Sequence, residues 1–218
     1  MSDSDEVKQL IVDYGRKMLH DRLVRGTSGN LSIVDRQAGV MAITPTGTDY
    51  EHLSVAQVTI MTLEGERLEG SAPSSEYSMH LAIYQARNDV RSIVHTHSVY
   101  ATSFAVHGRP IPAVHYMVTM MGGDQIPVTS HYELYGTEAL AKSAVKTLGQ
   151  KYHAALLRNH GVVTTGSTLL EAYTRAMIVE EMAELYHHAL ALGEPDYLTD
   201  KEIRAVSAKI AQYGKMKD

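Results

Sequence analysis

The chain has 218 residues, a length typical of one domain with a substantial core. With 20 Lys and Arg against 25 Asp and Glu, its formal net charge is -5, which disfavours non-specific binding to nucleic acid or to an anionic membrane. Cysteine is absent, which excludes disulfides, thiolate metal sites and cysteine nucleophiles.

A helix is predicted at the start of the chain, from Asp5 to Arg22, because apolar residues recur there at spacings of three and four. Strands are predicted at Leu31–Val34, Val40–Ile43, Val58–Leu63, Arg91–His97, Ala154–Leu157 and Val162–Thr164. Further helices are predicted at Ser74–Arg87, Val99–Val106, Gly136–Leu148, Leu169–Leu192 and Asp200–Tyr213. Short turns join some of the strands. We therefore expect an α/β domain with a central mixed, largely antiparallel sheet flanked by helices.

The sequence gives no support to nucleotide-binding loops or to a membrane span. No glycine-rich dinucleotide fingerprint follows a predicted strand, and no phosphate loop of the triphosphatase type is present. No run approaches the roughly 18 apolar residues that cross a bilayer, and the acidic start Met1–Glu6 lacks the pattern of a signal peptide. We expect a cytoplasmic protein that binds neither nucleic acid nor a membrane.

The pair His95 and His97 is the strongest local signal of chemistry. Residues i and i+2 of a strand point to the same face, so the two imidazoles can bind one metal ion. The alternative is a pair of surface histidines on an edge strand.

Two further residues fit the same site. His160 precedes Gly161 directly after a predicted buried strand, where a sheet meets a cleft. Glu76 stands at a predicted helix start, where a carboxylate is also typical of a cap or of a partner for the helix dipole. Three imidazoles and a carboxylate suit a zinc-like divalent ion. Spacing alone does not bring residues 76, 95, 97 and 160 together.

Other histidines rank lower. His80 lies one helical turn after Glu76, and we expect a packed residue near the site rather than a fourth nitrogen ligand. His115 and His131 lie in a segment with glycine and tyrosine that can border a site.

Three polar segments have the chemistry of an anion site: Thr27–Asn30, Thr44–Gly47 and Ser74–Ser75. Glycine allows backbone N–H groups to approach an anion, hydroxyls add donors, and a helix N-terminus adds its dipole. Each segment alone is more typical of an ordinary turn or cap. None contains Lys or Arg, so a phosphate there would be held by neutral donors.

In this order along the chain, these motifs resemble the class II aldolase and epimerase family of sugar phosphates. The resemblance extends over nearly the whole chain and is carried by Gly26–Ser32, Ile43–Gly47, Pro73–Glu76, Val94–His97, Ile111–Met117, Asn159–Gly161 and Tyr213–Gly214. It implies that residues 1–218 form one catalytic domain of this type.

The resemblance also implies a role for each group of residues. Zinc, one ion per chain, would be held by four residues, Glu76, His95, His97 and His160. Glu76 would also be the acid/base, Tyr116 would come from a neighbouring subunit as a proton donor, and Tyr213 would come from the C-terminal tail. The phosphate would be bound by Ser28, Gly29, Asn30, Thr46, Gly47, Ser74 and Ser75. The assembly would be a homotetramer with fourfold symmetry and active sites between subunits.

The implied reaction is a reversible cleavage of a ketose 1-phosphate to dihydroxyacetone phosphate and a short aldehyde. L-fuculose 1-phosphate and 5-deoxyribulose 1-phosphate are both candidate substrates. The segment Ser130–Tyr135 departs from the family pattern, with Tyr135 in place of a phenylalanine, and this leaves the sugar open.

Other reactions of the same family remain as alternatives. A ribulose-phosphate 4-epimerase is disfavoured, because family members of that type carry aspartate where this chain has Glu76. A sugar-acid-phosphate decarboxylase and a methylthioribulose-phosphate dehydratase are further candidates. A non-enzymatic assembly module similar to the adducin head would be expected to have lost the ligand set.

Overall fold

The computed structural model describes residues 3–212, in which helices and strands alternate. The helices are α1 (Asp3–His20), α2 (Tyr77–Ala86), α3 (Val99–His107), α4 (Glu138–Leu148), α5 (Leu169–Ala191) and α6 (Asp200–Gln212). The strands are β1 (Asn30–Asp35), β2 (Val40–Ile43), β3 (Thr59–Thr62), β4 (Arg67–Glu69), β5 (Ser92–Thr96), β6 (Ile111–Pro112), β7 (Gln125–Ile126), β8 (Ala154–Leu157) and β9 (Gly161–Gly166). Short 3₁₀ helices lie at Tyr50–His52, Val55–Gln57 and Tyr116–Met121.

The main sheet has seven strands in the order β4-β3-β2-β1-β5-β9-β8. Every neighbouring pair in it is antiparallel, which confirms the predicted architecture of an antiparallel sheet flanked by helices. Strands β1 and β9 lie on either side of β5 and are antiparallel to it. The start of β1, the end of β5 and the start of β9 therefore lie side by side, although they are distant in sequence.

Side chains on the two faces of the sheet form separate hydrophobic clusters, since successive residues of a strand point to opposite faces. Ile93 of β5 packs in the cluster that includes α2 and α4, whereas its neighbour Val94 packs in the cluster that includes α1 and the start of α5. A third cluster joins α3, the later part of α5 and the 3₁₀ helix Tyr116–Met121. Each large apolar side chain buried in this way contributes about 1.5–3 kcal/mol to the hydrophobic driving force.

The long helices are confirmed, with ends that differ by a few residues from the prediction. Strand β4 and the ladder of β6 with β7 were not predicted. The apolar stretch Ile111–Met121 does not place Tyr116 on an inner strand packed in the core. Tyr116 is the first residue of a 3₁₀ helix and is 50% exposed. Among the described helices, none combines the length and the apolar composition that a membrane crossing requires.

Candidate active site

Three histidines and one glutamate meet where the start of β1, the end of β5 and the start of β9 lie side by side. His95 is in β5, and His97 follows the end of that strand. His160 lies in the turn between β8 and β9, and β9 pairs with β5. Glu76 is the N-cap residue of α2. One ligand atom from each of these residues lies within 4.8 Å of the others.

The distances within this group are those of side chains directed at a common point. His95 Nε2 lies 3.0 Å from His97 Nε2 and 3.1 Å from Glu76 Oε2. His160 Nε2 lies 3.3 Å from Glu76 Oε1. The three imidazole rings meet edge to face, with centroids 4.8 to 5.0 Å apart. The cap interpretation of Glu76 is wrong, because its side chain accepts no capping hydrogen bond.

The chemistry of this donor set fits a divalent cation. Within residues 3–212, the buried Glu76 Oε1 has no hydrogen-bond partner, so one oxygen of a charged group lacks a protein donor. The carbonyl of Val162 only accepts hydrogen bonds, so His95 Nδ1 at 2.8 Å carries a hydrogen and donates it. That bond directs the Nε2 atom of His95 toward the group, as is usual for metal-ligating histidines. Three nitrogens and one oxygen suit zinc or a similar ion.

The protonation states agree with this fit. Burial raises the pKa of the Glu76 carboxyl, but His95, His160 and Asn30 outweigh it and hold the pKa well below its usual range. Burial and the charge of His95 lower the pKa of His97 to about 3 and that of His160 to about 4. Burial opposes the charging of His95, yet the Glu76 carboxylate raises the pKa of this one imidazole. A cation would take the place of that proton, as is general for metal sites.

The turn that carries His160 has two unusual backbone positions. Asn159 adopts a left-handed conformation with φ 54°, which few residues other than glycine and asparagine tolerate. At Gly161, a Cβ atom would lie 2.4 Å from the carbonyl oxygen of Thr96 and 2.9 Å from Cδ2 of His97. The close approach of β9 to β5 at this turn therefore depends on glycine.

A cavity of about 460 Å³ opens beside the histidine and glutamate group. All seven residues predicted to bind phosphate line it, namely Ser28, Gly29, Asn30, Thr46, Gly47, Ser74 and Ser75. The cavity is also lined by Thr27, Pro45, Glu76, His97, Tyr132, Tyr135, Asn159 and His160. No Lys or Arg is among these lining residues. The structure thus places three predicted segments around one space.

The two serines before α2 differ in their surroundings. Ser74 is buried, and its Oγ accepts a hydrogen bond from the backbone N–H of Glu76 at 3.3 Å. Ser75 is exposed at the cavity. The Ser74 hydroxyl therefore binds the backbone at the start of the helix, whereas the exposed Ser75 lines the cavity, where the helix dipole favours an anion.

The loop Ser130–Gly136 forms the other side of the cavity. Tyr132 and Tyr135 are 52% and 60% exposed, and both line the cavity. Thr129 donates its backbone N–H to the carbonyl of Leu156 in β8 at 2.9 Å. At the other end of the loop, Gly136 has φ 73°, and a Cβ there would lie 2.7 Å from the carbonyl oxygen of Ser75. The loop is thus anchored at both ends.

Four predicted residues lie elsewhere. His80 is fully buried behind Asn30, outside the ligand group, and burial lowers the pKa of its imidazole to about 3. Tyr116, His115 and His131 are not among the residues that line the cavity. Tyr213 lies outside the described residues. The sequence indicates Tyr132 only as a member of the segment Ser130–Tyr135, without a role of its own. The sequence signal for this loop is the pair of tyrosines, Tyr132 and Tyr135, the second directly before Gly136.

Comparisons with known proteins place these features in a family. A profile of the Class II Aldolase and Adducin N-terminal domain matches residues 9–187. A 5-deoxy-D-ribulose 1-phosphate aldolase of Bacillus thuringiensis serovar kurstaki is 38% identical to this chain over 208 residues, or 95% of this chain and 96% of that protein. An L-fuculose phosphate aldolase of Escherichia coli O6:H1 is 37% identical over 213 residues, or 97% of each chain.

A solved structure agrees with these sequence matches. It is that of an L-fuculose 1-phosphate aldolase, which is 39% identical and superimposes with a TM-score of 0.89. The match covers 94% of this chain and 96% of the other.

Proposed function

Since this chain belongs to the class II aldolase family, and is therefore a lyase, we propose that it reversibly cleaves a ketose 1-phosphate to dihydroxyacetone phosphate and a short aldehyde. The substrate would be L-fuculose 1-phosphate or a related deoxy-ketose such as 5-deoxyribulose 1-phosphate, the sugars for which the two relatives are named. One observation carries the proposal: Glu76, His97 and His160 share a single cavity with the neutral donors suited to a phosphate.

We propose zinc as the ion, one per chain, with four ligands: Glu76, His95, His97 and His160. When bound, such an ion is a Lewis acid that draws electrons from the ketone of the substrate and lowers the barrier to carbon–carbon cleavage. No lysine is needed for a Schiff base, and no lysine lines the cavity.

The remaining steps belong to the chain's own residues. Ser75, Thr46 and the backbone around Gly47 would hold the phosphate, so the reacting carbons lie near the carboxylate of Glu76. In cleavage, the C4 hydroxyl loses its proton, the C3–C4 bond breaks, and its electron pair stays with C3. The Glu76 carboxylate would take up one proton in exchange for the one released at C4 and deliver it to C3, so the products together carry the same net charge as the substrate.

The proton on the C4 oxygen would be handled by tyrosine. Tyr116 is half exposed and does not line the cavity of its own chain, which supports a role in the site of a neighbouring subunit. A homotetramer with fourfold symmetry, and a contribution from Tyr213 of the tail, complete the proposal. The cytoplasmic location stays a prediction.

The test is a product assay on the metal-loaded protein with a panel of ketose 1-phosphates. Formation of dihydroxyacetone phosphate from at least one deoxy-ketose 1-phosphate supports the proposal. Inversion at C4 without release of a three-carbon product would identify an epimerase instead. Release of carbon dioxide or water from a related phosphate, with no aldehyde, would identify a decarboxylase or a dehydratase.

A further inference from the structure

A continuous chain of hydrogen bonds runs from the carboxylate of Glu76 into the core. Asn30 Nδ2 donates to Glu76 Oε2 at 3.0 Å, and Asn30 Oδ1 lies 2.6 Å from His80 Nε2. His80 Nδ1 lies 2.6 Å from Ser32 Oγ, which lies 2.7 Å from the hydroxyl of Tyr84. All five side chains are buried. Buried polar groups that lose a partner cost free energy, so each bond constrains its neighbours.

Two regular elements bring these side chains into one line. Asn30 and Ser32 are two residues apart on β1 and therefore point to the same face of the sheet. On α2, His80 and Tyr84 follow the N-cap residue Glu76 at intervals of four residues, so all three lie along one stripe of the helix. The register between this stripe and β1 pairs each helix residue with a polar group of the strand.

The direction of the hydrogen bonds in the chain follows from the charge of Glu76 and from a neutral His80 ring, since burial lowers the pKa of this imidazole to about 3. A carboxylate accepts only, so the amide of Asn30 must turn its NH2 group toward Glu76 and its carbonyl toward His80. His80 Nε2 therefore carries the hydrogen, and the neutral ring has a free lone pair at Nδ1. The Ser32 hydroxyl then donates to Nδ1, and the Tyr84 hydroxyl donates to Ser32. In the reversed chain, Asn30 Oδ1 would face the carboxylate without a hydrogen between them.

We propose that His80 is a positioning residue for Glu76: by donating from Nε2 to Asn30 Oδ1, it fixes the Asn30 amide so that Nδ2 donates to Glu76 Oε2. Asn30 lines the cavity, and this assigns its side chain a second task besides any contact with phosphate. The inference rests on the proposed role of Glu76 as ligand and acid/base.

The consequence of this bond is that the two oxygens of Glu76 are not equivalent. Oε2 is held by Asn30, whereas Oε1 has no hydrogen-bond donor within residues 3–212 and lies beside His160. Without the bond to Asn30, the carboxylate could rotate, and its free oxygen would no longer have a fixed position. Groups that orient a ligand through a hydrogen bond typically change metal affinity or activity by about 10- to 100-fold when removed.

The first experiment reads the hydrogen on His80 directly. Protein labelled with ¹⁵N-histidine is studied by NMR, zinc-free and zinc-loaded, and the His80 signal is assigned by its loss in His80→Gln. We expect a neutral ring with its hydrogen on Nε2 in both forms. A hydrogen on Nδ1, or a cationic ring near neutral pH, would overturn the proposal, and this result does not depend on any enzymatic activity.

The second experiment compares His80→Leu with His80→Gln. Leucine fills the space but has no donor, whereas the terminal amide of glutamine can replace the Nε2–H group. For His80→Leu we expect a fall of about 10- to 100-fold in kcat and in zinc affinity, measured by competition with a chromogenic chelator, and a nearly unchanged KM. For His80→Gln we expect most of both losses to be recovered.

Ile83→Val is the matched control, because Ile83 is fully buried on the same helix but its apolar side chain takes no part in the hydrogen-bonded chain. It should lower the unfolding midpoint and leave kcat and zinc affinity unchanged. If His80→Leu behaves like Ile83→Val, His80 is only a core residue and the proposal fails. If the wild type binds zinc but cleaves no ketose phosphate, the proposed function fails, and zinc affinity and the NMR result still decide the role of His80.

Discussion

The candidate site residues fall into two regions that are held in different ways. The ligand group, Glu76 with the three histidines, lies on strand ends and a helix start and is largely buried. The tyrosine region, which comprises the loop Ser130–Gly136 and the exposed Tyr116, lies on a loop and a short 3₁₀ helix. The first region is complete within one chain, whereas the second presents side chains to solvent. We therefore expect the first region to keep its arrangement in an isolated chain, whereas the proposed role of Tyr116 requires a neighbouring chain.

Removal of the metal should have the largest effect, because the proposed cleavage depends on a cation bound by the ligand group. We expect a chelator to reduce activity to background and added zinc to restore it. Far-UV circular dichroism should be nearly unchanged, since three hydrophobic clusters form the core without the metal. The unfolding midpoint should fall, because a bound ligand stabilises only the native state. Full activity after metal analysis has shown complete removal would contradict the metal-dependent mechanism.

The substitution Glu76→Gln should cause the second largest loss of activity. The amide keeps the shape of the side chain but cannot exchange a proton, so we expect turnover to fall by about 100- to 10,000-fold. The unfolding midpoint and the circular dichroism spectrum should show a retained fold. Glu66→Gln is the control, since Glu66 is exposed and is not among the residues that line the cavity. Near-normal turnover of Glu76→Gln would remove Glu76 from acid/base catalysis.

Tyr116→Phe tests the tyrosine region across the subunit boundary. We expect a loss of about 100-fold or more in turnover, as for removal of a general acid. Chains with Tyr116→Phe and chains with Glu76→Gln are then mixed after subunit exchange. Some sites would combine an intact Glu76 with an intact Tyr116 of a neighbour, so part of the activity should return. If exchange is verified and no activity returns, Tyr116 does not act in a neighbouring site.

Ser75→Ala should have the smallest effect of the four. One hydrogen bond to a charged phosphate is lost, and we expect kcat/KM for the phosphorylated ketose to fall by about 10- to 100-fold. The unphosphorylated ketose is the internal control and should be cleaved equally slowly by both proteins. Equal losses with both sugars would mean that Ser75 supports the start of α2 and does not bind phosphate.

The prediction of helices and strands succeeded where apolar residues recur at regular intervals, and it failed where they do not. Helices α1 and α5 bury apolar residues at regular intervals and were predicted in outline. Strand β4 was not predicted because it is only 3 residues long and lies exposed at the edge of the sheet, so it contributes no buried apolar residue to a pattern. The apolar run before Gly122 was ambiguous, because it is compatible with a strand as well as with the observed 3₁₀ helix.

The types of residue in the site could be predicted from the sequence, but their meeting at one point in the fold could not. Spacing on one strand explains why His95 and His97 lie together, yet only the pairing of β5 with β9 brings His160 beside them. Local patterns left open whether Glu76 lies beside these histidines, and only the family resemblance implied that it does. The link from Glu76 through Asn30 to His80 was not visible, because it depends on the register between α2 and β1.

The anchoring of the loop Ser130–Gly136 has a consequence for how this enzyme can change over evolutionary time. Thr129 is fixed to β8, and Gly136 is fixed against the backbone of Ser75, so both ends of the loop are independent of the side chains between them. Substitutions within the loop, including those at Tyr132 and Tyr135, can therefore reshape one side of the cavity while the ligand group stays in place. We therefore expect substitutions in this loop to change the preference for the aldehyde half of the proposed substrate while the ligand group is retained.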